Sequence, residues 1–289
     1  MKLENNVNGL LNIYKPSGPT SRDIVNIVQK KFNTKAGHTG TLDPLASGVL
    51  VITLGKYTKL SEIITSETKE YEAEVIFGIE TDTLDIEGKT VKEETSLLNK
   101  DKIEKALNGF KTTYDQEVPK YSAVKVNGKK LYEYARNNIE VKLPKKEVTI
   151  FDIKLLDYKQ KNDKTIIKFY TKVSKGTYIR SLIRDIAYKL DTVGTMSALT
   201  RISQGKFNIK DSYTLEDINN DSFKLLSIKD AIDIDVETVT DEEKFKILNG
   251  VPLNKNYDKV LFLDSEGNEL AIYHQKDGKL RMYSMLYRN

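Results

Sequence analysis

The 289-residue chain contains no cysteine, and its two histidines are His38 and His274. Disulfides, thiol nucleophiles and cysteine-based zinc sites are excluded, as is any metal site built from several imidazoles. Glycine and proline are sparse, at 16 and 6 residues, while 39% of residues are hydrophobic and 30% charged. That balance belongs to a folded globular protein and argues against extensive disorder. Long apolar runs are also missing. The longest, GVLVITLG at 48–55, falls far short of the roughly twenty residues that a bilayer helix needs. The opening MKLENNVNGL lacks the apolar stretch of a signal peptide, so the sequence predicts a soluble cytoplasmic protein with no membrane partner. GKT at 88–90 ends like a nucleotide-binding P-loop, but its first glycine would fall at Thr83. Neither HExxH nor GxSxG occurs, so an NTPase or a zinc hydrolase is unsupported.

Net charge is only +4, yet it is unevenly spread. Residues 229–289 hold 9 basic and 12 acidic side chains, which leaves 37 basic and 30 acidic in the first 228. A basic excess in the larger part is compatible with a polyanionic partner and also with a lysine-rich solvated surface. The length suits one large domain with a small appendage. A boundary is expected between 225 and 235, where the composition turns acidic. No internal repeat or heptad array is present.

Strand-like and helix-like stretches alternate without a regular βαβ rhythm. GLLNIYKP (9–16) reads as a strand. TSRDIVNIVQKKF follows as a helix with Ile24, Val25, Val28 and Phe32 on one face and Thr20 or Ser21 as N-cap. GVLVITLG reads as a short buried strand, and KYTKLSEIITS (56–66) as a helix. KEYEAEVIFG (69–78) alternates as a half-buried strand should, with Tyr71, Ala73, Val75 and Phe77 together. Helices are expected near 99–110 and 131–137, and paired strands at 146–158 and 164–176. An amphipathic helix carries Ile179, Leu182, Ile183, Ile186 and Leu190, and 196–207 returns to strand. Short alternating strands between the SEGN and QKDG turns make the last stretch a small β-rich module. The pattern predicts an α+β fold on a mostly antiparallel sheet.

Four segments could carry chemistry. GHTGTLDPLASG (37–48) is a glycine-rich loop in which Pro44 keeps Asp43 out of helical geometry. Such a loop can hold one carboxylate still while a bulky ligand approaches; spacing alone also allows an Asx turn closing on its own backbone. In SKGTYIRSLIRD (174–185), Arg180 and Arg184 share a helix face. Arg180 lies in the first turn, where the dipole disfavours a cation, so it either has an anionic partner or is an ordinary exposed arginine. KPSGPTS (15–21) opens a helix and could bind an anion with Lys15, or could be a tight capped turn. PKYSAVKVNGKKLYEYAR (119–136) interleaves lysines and tyrosines as single-strand nucleic-acid surfaces do, and as ordinary helix faces do.

Together these segments resemble the TruB family of tRNA pseudouridine synthases. GHxGxLDPxAxG is met at 37–48, KPxGxTS at 15–21 and Lys-x-Tyr at 69–71. TDT-x-D with its following glycine is met at 81–88, PxYSAxKxxGxxLYExAR at 119–136, KGTYIR at 175–180 and Leu-x-Arg at Leu199 and Arg201. The motifs keep their order over residues 9–205. The resemblance implies a pseudouridine synthase fold: a mixed, mostly antiparallel sheet with flanking helices around an RNA cleft. It places the catalytic domain at 1–228, including an RNA-binding segment at 119–145, and a small PUA-like domain at 229–289.

It also implies conversion of uridine to pseudouridine at position 55, in the TΨC arm of tRNA, without cofactor, metal or guide RNA, by a monomer. Asp43 would attack the sugar or the base, or assist a glycal-like intermediate. Arg180 would sit beside Asp43 and favour its ionised form. Tyr71 would stack on the flipped base and bring its hydroxyl near the C5 proton. His38 would stack in the gap left in the RNA, and Leu199 would form an apolar wall. Lys15, Tyr178, Lys125, Lys129 and Lys130 would contact RNA. The alternatives are a non-catalytic RNA-binding or tRNA-folding protein on the same scaffold, and a synthase with another RNA target.

Overall fold

The computed structural model describes residues 7–65, 68–137 and 139–287. Residues 1–6, the end of the helix expected over 56–66, Asn138 of the expected RNA segment and the last two residues lie outside the described residues. The chain begins with β1 (Gly9–Lys15), α1 (Ser21–Phe32), β2 (Ala36–His38) and β3 (Ser47–Leu54). A 3-10 turn at Gly55–Leu60 runs into α2 (Ser61–Thr65), then β4 (Lys69–Phe77). A ribbon of β5 (Ile79–Thr81) and β6 (Thr90–Glu93) precedes α3 (Lys100–Asn108) and β7 (Thr113–Glu117). The hairpin of β8 (Lys125–Val126) and β9 (Lys129–Lys130) leads into α4 (Leu131–Arg136). The strands β10 (Lys145–Lys161) and β11 (Lys164–Val173) are followed by α5 (Ile179–Lys189), β12 (Gly194–Gln204), β13 (Phe207–Asn208), α6 (Leu215–Asn219) and α7 (Ile228–Ala231). The last stretch holds β14 (Asp235–Thr238), α8 (Asp241–Leu248), β15 (Lys259–Leu263), β16 (Glu269–Lys276) and β17 (Lys279–Met285).

Among the described residues the main sheet has nine strands. Seven run in the order β1-β3-β12-β4-β11-β10-β7, with β2 on β3 and β13 on β12. Every pairing is antiparallel except β3 with β12, which is parallel over Ser47↔Thr200 and Gly48↔Arg201. Gly48 makes that parallel contact possible: its φ is +104°, and a Cβ there would lie 2.2 Å from the Arg201 carbonyl oxygen. The alternation of β4 is realised, with Lys69, Tyr71, Ala73, Val75 and Phe77 all buried.

Local signals fix the helices that flank the site. α1 starts at a capping box in which Thr20 and Asp23 satisfy each other's backbone N–H groups, and it ends at Asn33 in the left-handed region. α5 buries Ile179, Leu182, Ile183 and Ile186, each worth about 1.5–3 kcal/mol relative to exposure.

The continuous apolar run of β3 has a structural reason. Leu50, Ile52 and Leu54 enter the main core with Ile24, Val28 and Leu182. Val49 and Val51 point the other way, into a second core with Leu10, Tyr57, Leu60 and Phe207. That second core also contains Ile228, Ile232, Leu261, Ile272 and Leu286. The four-stranded sheet β14-β15-β16-β17 is thus packed against the back of β3, and Tyr57 and Lys56 both reach Glu269 on β16. β3 is buried on both faces, as a strand between two layers must be.

Candidate active site

The loop between β2 and β3 carries Asp43, and side chains from all around hold its backbone. Ser21 exchanges two hydrogen bonds of 2.8 Å with the Leu42 peptide, accepting from its N–H and donating to its carbonyl. The Arg201 Nη2 donates to Gly40 O at 2.9 Å and its Nε to Val49 O at 2.7 Å. Gln204 Nε2 donates to Thr39 Oγ1 at 2.6 Å. Lys15 Nζ donates to the carbonyls of Ala46 at 2.6 Å, Pro16 at 2.9 Å and Pro44 at 3.1 Å. Buried donors spent on loop carbonyls leave the loop little freedom.

Lys15 therefore does not face outward, as expected of an RNA contact. It is wholly buried beneath the loop, and burial lowers its pKa from 10.5 to about 8, partly countered by the attraction of Asp43 and reinforced by Arg201. With its ammonium enclosed by three carbonyls, Lys15 is a support of the Asp43 loop.

Asp43 itself stays accessible, with its side chain 36% exposed, and Oδ2 lies 3.0 Å from Arg180 Nη2. Arg180 is not an exposed arginine. Its side chain is 8% exposed and it holds four groups from three chain segments. Besides Asp43, it donates to Thr83 O at 2.9 Å and to Tyr121 O at 3.1 Å, and its Nη1 is 3.6 Å from Asp85 Oδ2. Asp85 is as buried as Arg180, and its Oδ1 accepts from Thr83 Oγ1 at 2.7 Å and the Glu87 N–H at 3.2 Å. A planar fork with five donors suits this role, and a lysine could not serve four directions at once.

The remaining residues surround this pair unevenly. Tyr71 and Leu199 are buried in the main core with Leu42, the neighbour of Asp43; Tyr71 stands opposite Arg201 across β4 and β12. Tyr178 immediately precedes α5, and burial pushes its hydroxyl pKa up, with Arg180 opposing and Asp43 adding. His38 is half-buried on β2. Burial, then the Arg22 and Arg201 cations, lower its pKa, which favours the neutral ring. Its Nδ1 is buried without a hydrogen-bond partner among the described residues. Lys125, Lys129 and Lys130 stand on the β8–β9 hairpin, whose tip is Asn127 and Gly128, both at positive φ. The hairpin is anchored by Tyr134 Oη donating to Val126 O at 3.0 Å, and Lys130 and Arg136 both lie 5.4 Å from the Tyr132 ring centre. The stretch that leads into the hairpin meets the Asp43 pair through the Tyr121 carbonyl.

Asp85 is not among the site residues that the sequence indicates, and Tyr121 is expected there only as part of the RNA-contacting segment 119–136. Asp85 ends the TDTLD run at 81–85 that carries the resemblance, and that was the available signal. Tyr121 contributes a carbonyl, which no side-chain pattern reveals. Among the described residues, no group of three or more His, Asp or Glu could hold a metal ion.

The mixed sheet thus presents one accessible carboxylate against a buried arginine, beside a lysine-bearing hairpin and the Tyr132 and Tyr134 rings of α4. Residues 26–179 match the family described as TruB family pseudouridylate synthase, N-terminal domain. The tRNA pseudouridine synthase B of Caldanaerobacter subterraneus subsp. tengcongensis is 40% identical over 281 residues, covering 95% of this chain and 98% of the relative. That of Caldicellulosiruptor saccharolyticus is 42% identical over 249 residues, covering 86% and 84%. The chain belongs to the TruB family of pseudouridylate synthases. Among solved structures, a Cbf5-Nop10-Gar1 complex has a chain with TM-score 0.69 at 23% identity, covering 96% of this chain and 85% of that one. An H/ACA RNP bound to a substrate RNA containing 2′-deoxyuridine gives 0.69 at 21%, covering 97% and 85%. These two share the fold, including its mixed sheet and flanking helices.

Proposed function

We propose that this protein converts uridine to pseudouridine at position 55, in the TΨC arm of tRNA, with Asp43 as the catalytic carboxylate. The carrying observation is the Asp43–Arg180 pair: an accessible carboxylate on a braced loop, 3.0 Å from a buried guanidinium. Two relatives of this chain at about 40% identity are named for tRNA pseudouridine synthesis.

The reaction breaks the N1–C1′ bond, turns the base and joins C5 to C1′; N1 gains a proton and C5 loses one. No water is consumed. A glycosidase would use two carboxylates flanking the bond, with one placing or replacing a water. Here the second carboxylate, Asp85, is buried behind Arg180, so it steadies the arginine and does not meet substrate. The target base must leave its stack to reach Asp43. Tyr71 stacks on it with its hydroxyl near the C5 proton, and Leu199 completes the apolar wall. His38, a flat ring, fills the gap in the RNA. Tyr178 and the lysines of the hairpin meet the backbone. Residues 229–289 form the PUA-like part. The protein acts as a cytoplasmic monomer on tRNA, without a guide.

Unmodified tRNA transcript, incubated with the protein and mapped for pseudouridine, tests this. Product is expected at position 55 alone. Asp43→Asn should bring product to background while tRNA binding survives. Near-normal product from Asp43→Asn would refute the assignment of Asp43, and product elsewhere would refute the assignment of the target.

A further inference from the structure

Among the described residues, six helices meet their N-cap backbone N–H in two different ways. In α1, α4, α6, α7 and α8 the third residue of the same helix accepts it: Asp23 from Thr20, Glu133 from Lys130, Asp217 from Thr214, Asp230 from Ser227 and Glu243 from Thr240. α5, which carries Arg180, departs from this pattern. Its N-cap is Tyr178, with no side-chain cap, and its third residue is Ser181, whose hydroxyl donates instead to Glu117 O at 2.8 Å. The Tyr178 N–H goes to Gln116 Oε1, 2.8 Å away on β7. The start of this helix is therefore fixed by a strand 62 residues earlier.

Gln116 is 1% exposed, and both ends of its amide are used. A backbone N–H can only donate, so the atom facing Tyr178 is the carbonyl oxygen and the amino group faces Tyr114. That amino group donates to Tyr114 Oη at 2.9 Å, and Tyr114 Oη donates to Asp185 Oδ2 at 3.2 Å. Asp185 is gripped by Arg184, which also holds Glu117. The relay thus closes between β7 and two turns of α5. Arg180 is the second residue of that helix. The strand that Gln116 sits on runs directly into Tyr121, whose carbonyl accepts from Arg180.

We propose that Gln116 is a positioning residue for the isomerisation, setting where Arg180 meets Asp43 by capping α5 from β7. Only a side chain that accepts at one end and donates at the other completes this relay. The inference rests on the reading of Asp43 and Arg180 given above. Gln116 touches neither substrate nor reacting atoms, so its removal acts on the chemical step through Arg180 and leaves the RNA-facing surface in place.

The test uses the whole protein, unmodified tRNA transcript, single-turnover rates with enzyme in excess, and tRNA binding measured separately. Gln116→Met keeps length and removes both hydrogen bonds. Its rate at saturating RNA is expected to fall about 10- to 100-fold, the scale of a small displacement of a catalytic group, with tRNA affinity unchanged. Combined with Asp85→Asn, which loosens Arg180 from its other side, the losses should be less than multiplicative, because both act on one guanidinium. A wild-type rate, a parallel fall of rate and affinity, or fully multiplicative losses would each overturn the proposal. Should Gln116→Met fail to fold, Tyr114→Phe interrupts the same relay; a lowered rate at unchanged affinity supports it, and an unchanged rate overturns it. If Asp43→Asn remains active, the underlying reading fails with it. If Asp43→Asn is inert while Gln116→Met is normal, this inference alone fails.

Discussion

Replacing Lys15 by methionine separates the stability of this fold from its chemistry. The ammonium donates to Pro16, Pro44 and Ala46. Pro44 keeps the Gly18 N–H at 2.9 Å, so Pro16 and Ala46 are the carbonyls that suffer. A buried carbonyl that loses its donor costs about 1–3 kcal/mol. Against this, burying the charge lowers the Lys15 pKa from 10.5 to about 8, equivalent to roughly 3 kcal/mol of penalty at neutral pH. Two such carbonyls cost about 2–6 kcal/mol and the relieved penalty is roughly 3, so Lys15→Met should change stability at neutral pH by no more than about 3 kcal/mol. The rate should nevertheless fall about tenfold or more, because the Asp43 loop loses its support.

The same pair of proteins reports the sign of the linkage. Unfolded, Lys15 keeps its proton to about 10.5; folded, only to about 8. Between those values the unfolded chain binds more protons, so raising the pH favours the folded state. The Lys15 penalty is complete below about 8 and is relieved as pH approaches about 10.5. Urea unfolding of both proteins at several pH values isolates it, since all other titrations cancel in the difference. Wild-type stability minus Lys15→Met stability should rise by up to roughly 3 kcal/mol across that window. A flat difference would refute the buried cation, and a wild-type rate in Lys15→Met would refute the loop-support role.

Other expectations follow from the same geometry. Arg180→Lys cannot reach Asp43, Asp85, Thr83 and Tyr121 together, so its single-turnover rate should fall by about 100-fold or more; Asp85→Asn, which leaves the fork but weakens one partner, should lose less, and the reverse order would contradict the arrangement. Tyr71→Phe keeps the ring and removes the hydroxyl, so product that is isomerised but not yet deprotonated should accumulate, as seen by mass-neutral, chromatographically distinct nucleoside; a normal product profile would free the hydroxyl of that role. Neutralising Lys125, Lys129 and Lys130 together should flatten the log–log salt dependence of tRNA binding by about 2–3, with the rate at saturating RNA little changed. An unchanged slope with a collapsed rate would make these lysines part of the active site.

Much of this architecture is written in local pattern. The alternation in β4, the Thr20 cap of α1 and the stripe of α5 depend on neighbours a few residues away, and each is legible in the sequence. The stretch 56–66 shows the limit: apolar spacing predicts a helix, but the chain opens with a 3-10 turn after Gly55 at φ +58°. Tyr57 and Leu60, three apart, are both buried there, as a three-residue period allows. In the site, Asp43 is visible because glycines and Pro44 mark its loop. Lys15 is misleading because a lysine reads as surface unless the carbonyls enclosing it are known. Arg180 reads equally as exposed or paired, since Asp43 and Asp85 come to it from 137 and 95 residues away. Contacts to backbone carbonyls, such as that of Tyr121, leave no trace in residue type at all.

The two-sided burial of β3 has a bearing on how such a protein can change over generations. One face of Ser47–Leu54 belongs to the catalytic half and the other to the acidic C-terminal module. Outward positions of that module, such as Lys276, Lys279 and Arg281, are free to drift, and charge there can reverse without disturbing the fold. Leu261, Ile272 and Leu286 are not free, because the strand that follows the Asp43 loop leans on them. A lineage can therefore discard whatever the module recognises and still be unable to discard the module. Its sequence would diverge on the outside while its inner face remained bound to an enzyme whose chemistry lies on the opposite side of the strand.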